Sequence, residues 1–219
     1  VDLDLPLGIL PLGTANDLAR TLGIPRSIEA ACRVIAAGYP HRIDLGWVNG
    51  KLFFNVASLG LSVHITKQLS RGLKRRWGIF AYAITALRVL YQMQAFSAQI
   101  CCSNAIIQVR TVQIAVGNGR YYGGGLAIAS NARIDDQRLD LYSLEIEHWW
   151  QIFFLLPAIK QGNFYTQRHA RFISDTQIEI RTSSPQPINT DGELTTRSPA
   201  SFRVIPQALT VMVPYPKER

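Results

Sequence analysis

The pattern of hydrophobic and polar positions changes near residue 40. Before it, an apolar run at residues 7–10 predicts a strand that stops at Pro11, and apolar residues at helical spacing predict a helix over residues 27–38, closed by Gly38. Residues 1–40 therefore have the strand-and-helix character of an α/β domain.

After residue 40 the pattern favours strands. The Asn49-Gly50 pair between residues 41–48 and 51–58 predicts a β-hairpin, because a type I′ turn needs positive φ at both central positions. Further strands are predicted at residues 96–101, 105–116, 139–146, 171–182 and 201–213, the last stretch giving one or two strands. Helices are predicted at residues 61–69, 77–93 and 148–160. The fold class is therefore α+β, with a mainly antiparallel β-sandwich over residues 41–219 and a few helices.

The composition indicates a globular protein but does not identify its binding partner. The 219 residues are 47% hydrophobic and 17% charged, which is typical of a globular chain. The net charge of +8 favours nucleic acid, anionic lipid headgroups or nucleotide phosphates. An odd number of cysteines, Cys32, Cys101 and Cys102, argues against a disulfide framework and for a reducing compartment. The longest apolar stretch, residues 149–159, is too short to span a bilayer. We expect a cytoplasmic protein, either free or peripheral to a membrane.

The first candidate site lies in residues 11–20, which read PLGTANDLAR. A helix start offers unpaired N–H groups to an anion such as phosphate. Gly13 would let a ligand approach the backbone, and Thr14 would add a hydroxyl donor. The alternative is an ordinary turn in which Asn16 or Asp17 serves only as an N-cap.

Three later segments also carry candidate chemistry. Residues 117–125 read GNGRYYGGG, a glycine-rich loop without the spacing of a P-loop. The paired aspartates at 135 and 136 could supply oxygen ligands to Mg²⁺, or lie in a solvated turn. Asp191 and Glu193 flank a glycine, as a general base and its orienting group could, although Asp-Gly is also a common turn pair.

Residues 11–20, GNGRYYGGGL at 117–126 and the Asp-Gly-Glu string at 191–193 together resemble the diacylglycerol kinase catalytic-domain family. The resemblance implies that residues 1–40 end a nucleotide-binding domain of the NAD kinase and diacylglycerol kinase type. It also implies that Thr14 contacts ATP, with Gly13 and Asn16 beside it. Glu193 becomes the proton acceptor and Asp191 its orienter, although the two roles could be exchanged.

The resemblance further implies a structural Mg²⁺ at the paired aspartates. Its ligands would be the Asp136 side chain and the main-chain carbonyls of Arg133 and Arg138. This chain has Gln137 where the family usually has glycine, which is a departure from the pattern.

The family's Gly-Gly-Asp-Gly-Thr nucleotide loop is absent from these 219 residues. We read the chain as a truncated form of an ATP-dependent lipid kinase, with little activity alone. The alternatives are a non-catalytic lipid-binding or regulatory module and an NAD kinase-like enzyme.

The expected partners are a nucleotide and a lipid at a membrane surface, with the acyl chains inside the sandwich or in a groove between its sheets. Basic residues at 71–76, interleaved with Leu73 and followed by Trp77, suit an anionic membrane, or form a solvated loop. Nucleic acid is not expected, because only the charge favours it. A homodimer is left open.

Overall fold

The structure is a computed structural model, and it describes residues 5–63, 91, 94–129, 131–161 and 169–215. The basic residues 71–77 lie outside the described residues, as do most of the predicted helices at 61–69 and 77–93. None of the described helices is long and apolar enough to cross a bilayer.

Three described helices accompany fourteen strands. The helices are α1 (Asp17–Thr21), α2 (Ile28–Ala37) and α3 (Gln151–Gln161). The strands are β1 (Tyr39–Val48), β2 (Lys51–Phe53), β3 (Val56–Gly60), β4 (Phe96–Cys102), β5 (Ala105–Thr111), β6 (Gln113–Gly117), β7 (Tyr121–Tyr122), β8 (Leu126–Ala127), β9 (Leu139–Leu144), β10 (Ala170–Asp175), β11 (Gln177–Thr182), β12 (Pro187–Thr190), β13 (Glu193–Arg197) and β14 (Ala200–Val213).

Twelve of the strands form two six-stranded sheets. One sheet has the order β2-β1-β14-β11-β4-β5, and the other has the order β10-β9-β6-β3-β12-β13. Neighbouring strands pair antiparallel throughout both sheets, which confirms the predicted sandwich. β7 and β8 form a separate small hairpin in the glycine-rich segment.

The space between the two sheets is filled by apolar side chains. Phe53 and Phe202 from the first sheet pack in one cluster with Leu59, Ile114 and Leu141 from the second, and each is at most 1% exposed. Interiors of this kind are close-packed, so an inserted acyl chain would have to displace core side chains. The hypothesis that acyl chains enter the sandwich interior is therefore not supported.

The hairpin predicted at Asn49-Gly50 is confirmed. The two residues have φ of 46° and 85°, and Val48 pairs with Lys51 across the turn. The predicted strand at 51–58, however, is two strands in different sheets, with a break at Phe54 and Asn55. The predicted strand at 171–182 is likewise split, at Thr176, between β10 and β11.

The chain before β1 packs against the sandwich. The predicted strand at residues 7–10 is a single parallel bridge between Leu7 and Val211 of β14. The predicted helix at 27–38 is confirmed as α2, whose N-cap Ser27 accepts a hydrogen bond from the Ala30 N–H. The division of the chain into domains at residue 40 stays a prediction.

Candidate functional site

The loop at residues 11–16 is organised by the side chain of Asn16. Its Oδ1 accepts a hydrogen bond from the Gly13 N–H at 2.8 Å, and its Nδ2 donates to the carbonyls of Gly13 at 2.7 Å and Pro11 at 3.2 Å. Asn16 occupies the N-cap position with φ of 51°, and its side chain makes no capping hydrogen bond to the described residues. Asn16 therefore holds the loop and does not cap α1 through its side chain, and the binding of a ligand at this turn stays a prediction.

A groove of about 370 Å³ lies beside this loop. Thr14 is exposed at the groove, and Arg20 and Arg26 add two positive charges to its lining. The complete lining is Pro11, Thr14, Ala15, Asn16, Ala19, Arg20, Gly23, Ile24 and Arg26. A groove lined by a threonine and two arginines suits a polyphosphate.

The glycine-rich segment packs against α1. Asp17 Oδ2 accepts a hydrogen bond from the Gly124 N–H at 2.9 Å, and the Arg20 guanidinium lies 5.7 Å from the centre of the Tyr121 ring. Gly125 has φ of +114°, and a Cβ there would lie 1.6 Å from Arg20 Nη1. The Arg20 side chain is long enough to move aside, so it is the backbone conformation that favours glycine at 125.

The turn at Asp191 docks on the break between β2 and β3. The Asp191 carboxylate accepts hydrogen bonds from the N–H groups of Phe54 at 2.6 Å, Asn55 at 2.9 Å and Val56 at 3.1 Å. Asp191 as a residue is exposed, but its carboxyl group is turned against the protein, and this desolvation raises its pKa in spite of the three donors. The negative charge of Asp17 raises the pKa further. Three backbone donors therefore fix the Asp191 turn to the break between β2 and β3.

Buried oxygen atoms without donors mark the same region. Among the described residues, Asp17 Oδ1, Asn55 Oδ1 and Asn118 Oδ1 are buried and have no hydrogen-bond partner. Asn118 and Asn55 are neighbours, because the Asn118 N–H donates to the Asn55 carbonyl at 2.8 Å. Buried acceptors of this kind need a partner, and such oxygens suit a hard cation or a substrate hydroxyl.

The sequence pattern did not predict that Asp17 contributes a buried acceptor to the site, and it predicted no role for Asn55 or Asn118. Asn118 does lie inside the glycine-rich string that was singled out, and Asp17 lies inside the first motif. Asn55 carries no local signal, because its importance comes from the contact with Asp191 that breaks the strand.

Glu193 is the unengaged carboxylate of the Asp-Gly-Glu string. It is exposed at the start of β13, where it pairs in register with Thr190. In the described part of the chain its side chain has no hydrogen-bond or ion-pair partner. The contrast with Asp191 favours Glu193 as the proton acceptor, and both assignments stay predictions.

The turn at residues 133–138 is anchored by Asp44. Asp44 Oδ2 accepts a hydrogen bond from the Gln137 N–H at 2.6 Å, and the Arg138 N–H donates to Asp136 Oδ1 at 3.1 Å. Gln137 has φ of 60°, a conformation that favours glycine. The turn therefore keeps its left-handed backbone although this chain has glutamine where the family usually has glycine. The Asn118 Nδ2 donates to the Asp44 carbonyl at 2.9 Å and so connects this turn with the Asp191 region.

The charges of this turn fit a cation. Burial raises the pKa of Asp136, and the negative charges of Asp44 and Asp135 raise it further, so a bound cation would relieve the repulsion. Across the described ranges, no three His, Cys, Asp or Glu side chains converge as a metal cluster. A site that uses one carboxylate and two main-chain carbonyls would not form such a cluster. The Mg²⁺ ligands Asp136, Arg133 and Arg138 therefore stay a prediction.

Comparison with known proteins places this geometry in a family. A model of the diacylglycerol kinase catalytic domain matches residues 1–48, and a model of the YegS C-terminal NAD kinase beta sandwich-like domain matches residues 55–213. A Pseudomonas aeruginosa protein named "Probable lipid kinase YegS-like" is 34% identical over 208 residues, which cover 95% of this chain and 68% of that protein. A Staphylococcus saprophyticus protein named "Diacylglycerol kinase" is 26% identical over 95% of this chain and 68% of its own length.

A crystal structure of a diacylglycerol kinase from Bacillus anthracis has the same fold, with a TM-score of 0.74 at 23% identity. The match covers 96% of this chain and 67% of that one. The class defined by fold and site is an NAD kinase-like β-sandwich preceded by residues that match the diacylglycerol kinase catalytic domain. The chain belongs to the YegS-like lipid kinases of the diacylglycerol kinase family, which confirms the resemblance.

Proposed function

We propose that the protein transfers the γ-phosphoryl group of ATP to a lipid hydroxyl. The observation that carries this proposal is the set of hydrogen bonds between the candidate motifs. In the glycine-rich segment, the Gly124 N–H donates to Asp17 and the Asn118 N–H donates to the Asn55 carbonyl. The Asn55 N–H in turn donates to Asp191. Phosphoryl transfer needs positioned phosphates, positive charge around them and a base near the acceptor hydroxyl. The groove beside Thr14, with Arg20 and Arg26 in its lining, would supply the first two, and the free carboxylate of Glu193 would supply the third.

In this proposal each residue has a separate task. Thr14 donates to the nucleotide, and Arg20 and Arg26 balance phosphate charge. Gly13 permits the close approach of the ligand, and Asn16 holds the loop in place. Mg²⁺ bound with ATP would neutralise phosphate charge near the free oxygens of Asp17, Asn55 and Asn118.

Glu193 takes the proton of the lipid hydroxyl, and Asp191 fixes the turn that carries Glu193. Although burial raises the pKa of Asp191, both of its oxygens are engaged by backbone N–H groups, so they could reach a substrate hydroxyl only by giving up those bonds. A second Mg²⁺ held by Asp136 and the carbonyls of Arg133 and Arg138 would have a structural task, since it would bind the turn that Asp44 anchors.

The Glu193→Gln variant of the full-length protein tests the base assignment. Transfer of labelled phosphate from ATP to diacylglycerol in mixed micelles should fall about 100-fold or more, as expected for loss of a general base. Nucleotide affinity and melting temperature should stay unchanged, because the Glu193 side chain has no partner in the described residues. The matched control is Glu179→Gln, which alters a surface carboxylate on β11 that is paired with Arg181.

Undiminished transfer by Glu193→Gln would refute the assignment. A wild-type protein that binds lipid without transferring phosphate would instead be the non-catalytic module, and one that phosphorylates NAD in preference to lipid would be the NAD kinase-like enzyme. The 219 residues alone should show little transfer, because the Gly-Gly-Asp-Gly-Thr loop is not among them.

A further inference from the structure

Four exposed aromatic side chains lie together at the beginning of α3. Trp149, Trp150, Phe153 and Phe154 are 37%, 47%, 46% and 74% exposed. The ring centres of Trp149 and Phe153 are 6.1 Å apart, and those of Trp150 and Phe154 are 6.0 Å apart, in edge-on arrangements. We call these four residues the α3 aromatic patch.

The patch leaves α3 apolar on two sides. Ile152 and Leu155 are buried and pack with Ile128 and Tyr142 on the outer face of the second sheet. A surface helix that buries one stripe normally presents polar side chains on the opposite side. Here the outer side presents aromatic rings instead, and water is a poor solvent for them.

The character of the patch favours a lipid bilayer over other occupants. Tryptophan is enriched where a membrane meets water, because its ring is apolar and its N–H remains wet. The net charge of +8 complements anionic headgroups. Apolar insertion and electrostatic attraction add to each other at such a surface.

The patch is also continuous with the candidate site. α3 packs against β8, and β8 pairs with β7 in the small hairpin of the glycine-rich segment. The loop of that hairpin contains Gly124, whose N–H donates to Asp17. A membrane that contacts the patch would therefore lie against α3, which packs on the hairpin that borders the site.

We propose that the α3 aromatic patch docks the protein on anionic membranes by inserting its rings among the lipid headgroups. Docking itself follows from the exposed rings and the charge. Its consequence, delivery of a lipid hydroxyl to the site, rests on the proposed function.

The test compares Phe153→Ser/Phe154→Ser with wild-type full-length protein on vesicles of phosphatidylcholine and phosphatidylglycerol that carry brominated acyl chains. This variant keeps both tryptophans of the patch as fluorescence reporters. Wild-type emission should be quenched by the brominated lipid, and the variant should bind about tenfold or more weakly. The control, Ile106→Ser, alters a side chain that is 70% exposed on β5 and should bind like wild type.

Melting temperatures of the two variants show that folding is not the cause of any loss. Equal vesicle affinity of wild type and Phe153→Ser/Phe154→Ser, or unquenched wild-type emission, would overturn the proposal. So would conversion of a dimer to a monomer by this variant with vesicle binding unchanged, because the patch would then contact a second copy.

Phosphate transfer to a short-chain diacylglycerol in free solution separates the two proposals. If the variant binds vesicles like wild type and transfer to the soluble lipid is normal, docking by the patch is refuted and the kinase proposal stands. If neither protein transfers phosphate and only the variant loses vesicle binding, docking stands and the kinase proposal fails.

Discussion

Replacing Asp44 by asparagine should strongly destabilise the fold. Asp44 is 1% exposed, and its two carboxylate oxygens accept hydrogen bonds from the N–H groups of Gln137 at 2.6 Å and Gln207 at 2.7 Å. Both glutamines have left-handed backbones, with φ of 60° and 47°, so the carboxylate holds two strained positions at once. Asparagine has one acceptor oxygen, and its NH₂ group would face one of the two N–H donors.

The magnitude follows from the bonds that are lost. A hydrogen bond to a charged group contributes about 1.5–3 kcal/mol, and a buried donor left without a partner costs about 1–3 kcal/mol. These values overlap, so we expect a loss of about 3 kcal/mol. In a domain of 150–250 residues each kcal/mol lowers the melting temperature by about 2–4 °C, which gives a fall of about 6–12 °C.

Thermal and urea unfolding followed by circular dichroism measure this loss. The control is again Glu179→Gln, which makes the same chemical change on a carboxylate that is 41% exposed, and it should alter stability by less than about 0.5 kcal/mol. If Asp44→Asn melts within about 2 °C of the control, the proposed anchoring of both turns by Asp44 is wrong.

Three further predictions concern carboxylates. Asp191→Asn should reduce lipid phosphorylation and also lower the melting temperature, unlike Glu193→Gln, because it disturbs the bonds to Phe54, Asn55 and Val56; an unchanged melting temperature would contradict this. Burial raises the pKa of Asp140, so Asp140→Asn should be more stable than wild type at pH 7, with the difference shrinking as pH falls toward 3.8. Burial alone would raise the pKa of Asp175, but hydrogen bonds led by those from Ser103 lower it, so Asp175→Asn should be less stable at pH 7, with the difference lost as pH falls below 3.8. Urea titrations from pH 7 to 3 measure both differences, and differences of equal sign would refute the pair.

Structural features that depend only on residues close together in the sequence could be predicted from that sequence. The Asn49-Gly50 turn and the helix that Ser27 caps were predicted from their own few residues and are confirmed. The sandwich was predicted from the number of strands and the scarcity of helices, and it is confirmed as well.

The strand breaks could not be predicted because distant or competing acceptors make them. Residues 51–58 resemble one strand, but the N–H groups of Phe54 and Asn55 donate to Asp191, which lies about 137 positions later. Residues 171–182 also resemble one strand, yet Asp175 accepts hydrogen bonds from the N–H and hydroxyl of Ser103, 72 positions away, and the chain crosses to the other sheet after it. A pattern of side chains contains no information about an acceptor that only the tertiary fold brings near.

The candidate site shows the same limit. The sequence motifs pointed to Thr14, Asp191 and Glu193 as site residues. The contact that joins the first motif to the glycine-rich segment is instead the hydrogen bond from the Gly124 N–H to Asp17, 107 positions apart. Asp17 looked like a helix cap because its immediate neighbours gave it no other task.

The two carboxylates of the Asp-Gly-Glu string show how one turn can divide chemical roles. Asp191 and Gly192, at φ of 48° and 101°, form the turn between β12 and β13, and Asp191 commits both oxygens to backbone donors. Glu193 follows at the start of β13, where the described residues give its carboxylate no donor. A general base must accept and release a proton without breaking the hydrogen bonds that hold its turn in place. The unpartnered Glu193 therefore suits proton transfer, and the hydrogen-bonded Asp191 suits positioning. If the two roles were exchanged, Asp191 would have to give up its hydrogen bonds to the break between β2 and β3. Those bonds also keep Asn55 beside the site.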